Sequence, residues 1–254
     1  MANVGGTDMK KLDFLICGAQ KAGTSALTSY MRDNPEVYIS REKELHLFDN
    51  EKYEPVWWTG LKAGYALRRA GRRQKCGDAT PITMYWRDGA RKAWMHNRGL
   101  KLIVLLRNPI ERAYSHWSME TGRGNENKDF LWSIKNEEFR SRDALPYQHR
   151  IYSYIDRGFY CSQLRELYRY FGRSGVLVIL SEELREDPEW CLHRVWGHIE
   201  VGCDVKVTPR VVHEGNYREE IGEEAASYLK DIYRNEIQEL SRMTGRDLSG
   251  WLLR

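Results

Sequence analysis

The chain has 254 residues, of which 41% are hydrophobic, 12% aromatic and 30% charged, with a formal net charge of +4. This composition argues against a disordered or fibrous chain and suits one globular α/β domain, expected over residues 1–254 with its core at about 12–242. The modest positive excess is compatible with an anionic ligand and gives no reason to expect nucleic acid as a partner.

In chain order, an apolar run at 12–17 predicts a buried strand, which breaks at Gly18 into a short loop and a helix over 24–33. Weaker strands are expected at 37–40 and 75–79, and helices at 88–97 and 109–120 flank the strand "LIVLL" at 102–106. Residues 121–157 contain no strand candidate and are expected to form a loop-and-helix excursion over the sheet, with "TGRGNENKD" mobile. A helix at 160–171, a strand at 176–180 and helices at 188–198 and 223–242 complete the order. "KLIVLL" and "VLVIL" do not alternate, as expected where both sheet faces are covered, and strands alternating with helices predict a parallel sheet built from right-handed crossovers.

The loop "GAQKAGTSAL" (residues 18–27) carries the first chemical signal. At the start of a helix, free backbone N–H groups and the positive dipole end favour an anion. Gly18 and Gly23 let the backbone curl, while Thr24 and Ser25 add hydroxyls. An ordinary strand-to-helix bend is the alternative. A nucleoside-triphosphate loop would read G-x-x-x-x-G-K-[ST]; here the lysine lies inside the loop, at Lys21, and no apolar strand ends in an aspartate suited to Mg²⁺. A metal-free anion site fits better. A second cationic corner follows in "KLIVLLRNPIERAYSHW" (101–117), where a strand delivers Arg107 at its C-terminal end, Asn108 can cap the next helix, Pro109 suits its first position, and Ser115 lies about two turns further on.

These two corners resemble the 5′-phosphosulfate loop and the R-x-P-x-x-R-x-x-S motif of sulfotransferases that use 3′-phosphoadenosine 5′-phosphosulfate (PAPS), with a flavour of the heparan sulfate N- and 3-O-sulfotransferase branch. The resemblance implies a P-loop-containing three-layer α/β fold. It implies that Gln20, Lys21, Ala22, Gly23, Thr24, Ser25 and Ala26 hold the 5′-phosphosulfate, that Arg107 and Ser115 hold the 3′-phosphate, and that no metal takes part. Arg112 is read as structural or flanking. Lys21 would then sit beside the scissile bridge and stabilise the leaving group.

The charged run "REKELHLFDN" (41–50) is similar to the branch's E-x-H-F-F-D stretch, matching Glu44, His46 and Asp49. The resemblance makes Glu44 the general base and His46 its hydrogen-bonding assistant. In an extended loop the two side chains would point the same way, although a solvated charged surface would read alike. "CGDATPITMYW" (76–86) resembles the branch's E-K-T-P-x-Y, with Ala79 in place of the lysine, which puts a highly sulfated polysaccharide acceptor in doubt. Tyr160 and Arg157, in an R-G-x-Y turn, are read as core or surface residues, with the active-site rim as the alternative. Tyr217 and Arg218, in "HEGNYREE", stand where the branch has a basic loop that closes over the donor.

The expectation is therefore a sulfotransferase acting on a carbohydrate or small-molecule acceptor. The rivals are a P-loop small-molecule kinase and a non-catalytic nucleotide-binding protein. Five scattered cysteines without a C-x-x-C pair point to reduced thiols, and no apolar run approaches a bilayer's span. A stand-alone, bacterial-type cytoplasmic domain with no membrane partner is expected.

Overall fold

The computed structural model describes residues 10–42, 44–51, 56–203, 205, 207 and 221–253. Five strands form one sheet: β1 (Phe14–Gly18), β2 (Val37–Ile39), β3 (Lys75–Ala79), β4 (Lys101–Leu106) and β5 (Val176–Leu180). All pairings are parallel and the order is β2-β3-β1-β4-β5. Every residue of β1 is buried, as is nearly all of β4, so these strands carry unbroken apolar runs because helices cover both faces.

The helices, in chain order, are α1 (Thr24–Met31), α2 (Val56–Ala66), α3 (Gly89–His96), α4 (Pro109–Gly122), α5 (Phe130–Lys135), α6 (Glu137–Arg140), α7 (Tyr160–Phe171), α8 (Ser181–Glu186), α9 (Pro188–Ile199), α10 (Glu223–Thr244) and α11 (Gly250–Leu253). α1 and α9 pack together on one face of the sheet; α2, α3, α7 and α10 form a connected layer on the other. This is the three-layer arrangement expected from the alternating pattern.

Three elements escaped the sequence reading: α2, α8 and the short C-terminal α11. α2 lies in a stretch whose two glycines, Gly60 and Gly64, weaken any helical signal. α8 follows β5 without a loop: its Glu183 carboxylate turns back to accept the Leu180 N–H at 2.9 Å. The segment expected to be mobile is instead tied down by Glu126. That carboxylate is buried and accepts from both terminal nitrogens of Arg140, from the Tyr154 hydroxyl at 3.0 Å and from the backbone N–H groups of Asn127 and Lys128.

The strand order places the ligand crevice. From β1 the chain crosses over α1 to β2, at one edge; from β4 it proceeds to β5, at the other. The loops leaving β1 and β4 therefore diverge, and the gap between their C-terminal ends is the topological switch point where open α/β sheets bind ligands.

Candidate active site

Both cationic corners lie at this switch point. β1 pairs in parallel with β4, with a shift of register between Ile16 and Gly18, and the Ala19 N–H still donates to the Leu105 carbonyl at 2.7 Å before the loop peels away. Gly18 is required by packing: a Cβ there would lie 1.7 Å from the Met84 sulfur. Gly23, the residue before α1, has φ +97°, a left-handed conformation that L side chains resist. It opens α1, whose first amides, at Thr24 and Ser25, have no acceptor within the helix. Ser181, at the start of α8, closes the loop from below by donating to the carbonyls of Ala22 (2.7 Å) and Leu106 (3.0 Å).

Arg107 leaves the end of β4 and reaches the loop. Its Nη1 donates to the Lys21 carbonyl at 3.3 Å, and its Nε and Nη2 fork onto Glu111 at 3.1 and 3.0 Å. Arg107 thus touches the backbone of the loop at residue 21. α4 starts as its sequence dictates: Asn108 accepts the Ile110 N–H at 3.0 Å and Pro109 occupies the first turn. Ser115 is buried on the same helix. Arg112 is fully buried and donates to the Tyr154 carbonyl, in keeping with a structural reading.

The segment 44–49 hangs from the C-terminal end of β3, the strand beside β1. The Leu45 N–H approaches Asp78 and the His46 N–H approaches Thr80, each at 3.4 Å, and Thr80 donates to Asp78 at 2.6 Å. This backbone is not extended: Glu44 and His46 have φ of 61° and 50°. The two side chains still meet, His46 Nε2 lying 3.5 Å from Glu44 Oε2, because the left-handed turns fold the segment back on itself. On its other side His46 Nδ1 donates to Asp49 Oδ2 at 2.7 Å. That hydrogen bond, against the opposing effect of partial burial, holds the imidazole above its ordinary pKa, with the charges of Asp49 and Glu44 adding to it. Burial pushes Asp49 upward, but hydrogen bonds from His46 and Arg150 outweigh it and hold the carboxyl below its usual range.

Sequence reasoning missed the partners that the 121–157 excursion supplies. Arg150 donates to Asp49 Oδ2 at 2.9 Å and to its carbonyl, and its guanidinium lies 4.2 Å from the centre of the Trp86 ring. Arg157 is buried, donates to Gln20 Oε1, and gives its other terminal nitrogen to the Arg150 carbonyl at 2.6 Å. Burial brings its pKa down to about 10. No local pattern could have found these contacts, which join residues 101 and 137 positions apart. The result is a continuous polar arc: Gln20 to Arg157, Arg157 to Arg150, Arg150 to Asp49, Asp49 to His46, and His46 to Glu44. Tyr160 is also buried; its hydroxyl donates to the Arg107 carbonyl at 2.9 Å. The proposed closing-loop residues Tyr217 and Arg218 lie outside the described residues.

The arrangement provides an anion cradle at a helix start, an arginine fork beside it, and a carboxylate–imidazole–carboxylate chain at the rim. Comparison with known proteins gives the family and the fold. The model of the sulfotransferase domain matches residues 11–242. Mouse heparan sulfate glucosamine 3-O-sulfotransferase 3B1 is 25% identical over 93% of this chain and 64% of its own length. The membrane-associated sulfotransferase kil1 of Dictyostelium discoideum is 25% identical over 52% of the chain and 28% of its own length. The chain thus spans at most about two thirds of the curated relatives it matches. A solved sulfotransferase from Alicyclobacillus acidocaldarius superposes with a TM-score of 0.82 at 24% identity, covering 95% of this chain and 99% of the other. With the loop, the strand-end arginine and the family match agreeing over the same residues, the chain belongs to the sulfotransferase domain family.

Proposed function

We propose that this protein transfers a sulfuryl group from PAPS to a hydroxyl or amine of a carbohydrate or small-molecule acceptor, as a single catalytic domain. The observation that carries the reading is the polar arc itself. It joins Gln20, next to Lys21 in the anion cradle, to Glu44 at the rim, so that the donor corner and a candidate base belong to one connected structure.

The residues fit such a donor. Gln20 to Ala26 line the helix start that suits a phosphosulfate, and Arg107 with Ser115 lies one strand away for a second phosphate. PAPS supplies the activated S–O bond. Glu44 takes the proton of the acceptor, whose oxygen or nitrogen forms the new bond to sulfur. The bond from sulfur to the bridging phosphate oxygen breaks, and Lys21 meets the charge left on that oxygen. His46, held by Asp49, orients Glu44. Tyr217 and Arg218 are assigned to closure over the donor.

The names of the heparan sulfate relatives favour a carbohydrate acceptor. Ala79, where the resembling motif has lysine, argues for an acceptor less anionic than a highly sulfated chain. The test has two parts. Calorimetry with adenosine 3′,5′-bisphosphate should show binding that Arg107→Ala weakens. Labelled PAPS should then pass its sulfuryl group to a carbohydrate, lipid-alcohol or phenolic acceptor in the presence of a chelator. Absence of nucleotide binding at millimolar concentration, or activity that requires Mg²⁺ and ATP, would overturn the assignment.

A further inference from the structure

A surface on the far side of the molecule has no part in the transfer reading. α2 turns Trp58, Leu61 and Tyr65 to solvent, 41%, 42% and 61% exposed, and their spacing puts them on one helical face. Thr59, Ala63 and Leu67 are buried on the inner side. Past the helix the chain continues "LRRAGRRQK", in which Arg68, Arg69, Arg72 and Arg73 are all exposed. Residues 55–77 hold six basic side chains and no acidic one.

The two features are continuous. The Arg68 guanidinium stacks 3.7 Å from the Tyr65 ring centre, and the Lys62 ammonium lies 5.8 Å from that of Trp58. Lys10, entering the fold ahead of β1, donates to the carbonyls of Ala70 and Gly71. With Lys11, Arg72, Arg73 and Lys75 it lines a cavity of about 490 Å³. The carboxylate there, Asp13, accepts the Cys76 N–H at 2.7 Å. Glu200 approaches the patch only at Lys75, 3.9 Å away. Because Lys75 opens β3 and Lys10 precedes β1, the cations lie at the N-terminal end of these strands, opposite the crevice.

We propose that this face docks on an anionic lipid bilayer. Trp58, Leu61 and Tyr65 enter the boundary between headgroups and acyl chains, while the 68–75 cations with Lys10 and Lys11 meet lipid phosphates and carboxylates. Charge and shape together select this occupant. A soluble polyanion would satisfy the cations but has no use for an exposed leucine between two aromatic rings, whereas an interfacial helix needs that stripe. A second copy of the chain would bring like charges together. No helix among the described residues is long and apolar enough to cross a membrane, and interfacial docking requires none.

Co-sedimentation of the full chain with phosphatidylcholine vesicles, with and without phosphatidylserine, tests this. Binding is expected only with phosphatidylserine and should fall steeply with salt. The double change Arg72→Glu and Arg73→Glu should weaken it at least about tenfold. The triple change Trp58→Ser, Leu61→Ser and Tyr65→Ser should also weaken it about tenfold, while leaving the salt dependence. Melting curves verify that each variant is folded, and Leu61→Asp alone replaces the triple change if that one is not. Three results would overturn the proposal. The first is no partition onto phosphatidylserine vesicles at low salt. The second is vesicle binding indifferent to the α2 changes with heparin binding equally tight, which would mark a polyanion surface. The third is a solution dimer that Leu61→Asp separates. None of these readouts depends on donor binding or transfer, so failure here and failure of the transfer reading are distinguishable.

Discussion

Lys21 and Glu44 are asked to do different things, and their substitutions should separate. Lys21→Ala removes the charge that meets the leaving oxygen, so turnover should fall by about 10²–10⁴-fold, with weaker binding of adenosine 3′,5′-bisphosphate as well. Glu44→Gln should cost turnover on the same scale and leave nucleotide affinity nearly intact; calorimetry beside initial rates decides it. Asp49→Asn tests the support behind Glu44. Since the Asp49 hydrogen bond holds His46 above its ordinary pKa, its loss should bring the imidazole titration down, a shift that NMR can follow directly. An unmoved His46 titration would remove Asp49 as its orienting partner. At this scale the sequence was readable where a motif names its own neighbours, as with Gly18, Lys21, Gly23 and Arg107. It was blind to Arg150 and left the active-site rim only as the alternative for Arg157; their partners Asp49 and Gln20 are brought to them by distant backbone.

Among the elements, the 121–157 excursion shows how far local composition misleads. "TGRGNENKD" has the polarity and glycines of a free loop, yet Glu126 is buried at its centre and anchors α6, through Arg140, to Tyr154. Arg140 is itself mostly buried, and this ion pair and its hydrogen bonds hold the Glu126 carboxyl below its usual range despite the desolvation that opposes them. Glu126→Ala would leave Arg140 without its fork partner, at a cost of about 3 kcal/mol. Urea denaturation measures that loss, and limited proteolysis should open the variant near residues 121–129, where the native protein should resist. Equal stability and equal resistance would show that the anchor contributes nothing. α2 makes the complementary point: two glycines hid a helix that tertiary packing of Ala63 and Leu67 holds in place.

For the molecule as a whole, Glu137 should contribute stability that is lost as pH rises from about 4.5 to about 7. Burial raises Glu137 to about 7 from its ordinary 4.5, although the N–H groups of Ile155 and Asp156 donate to it. A carboxyl raised on folding binds more protons in the native state, so its contribution is present below its unfolded value and lost as pH climbs through the folded one. His46, raised by Asp49, has the same sign in a higher window. Four imidazoles oppose it: burial lowers His96 to about 4, His116 well below its ordinary value, and His149 and His198 in the same direction, so their contributions are lost as pH falls through the unfolded value near 6.5. His96 needs its neutral form, since its Nε2 accepts the Leu12 N–H at 3.1 Å. Melting temperatures of the native protein and of Glu137→Gln from pH 4.5 to 8 test the assignment: the native protein should lose stability relative to the variant as pH rises toward 7, and a constant difference would refute it.

The expectation of no membrane partner rested on the lack of a spanning run, and that pattern says nothing about a helix that lies on a surface. The exposure of Trp58, Leu61 and Tyr65 beside four arginines becomes visible only once α2 is folded and its inner face is known. Sequence alone determined the parallel α/β plan, the two anion corners and their order, because apolar runs, glycines and cap residues act over a few neighbouring positions. Which face of α2 meets solvent, which arginines reach Gln20 and Asp49, and how Glu44 meets His46 were decided by tertiary structure. Those contacts depend on how the chain crosses over the sheet, and no short stretch of residues encodes that path.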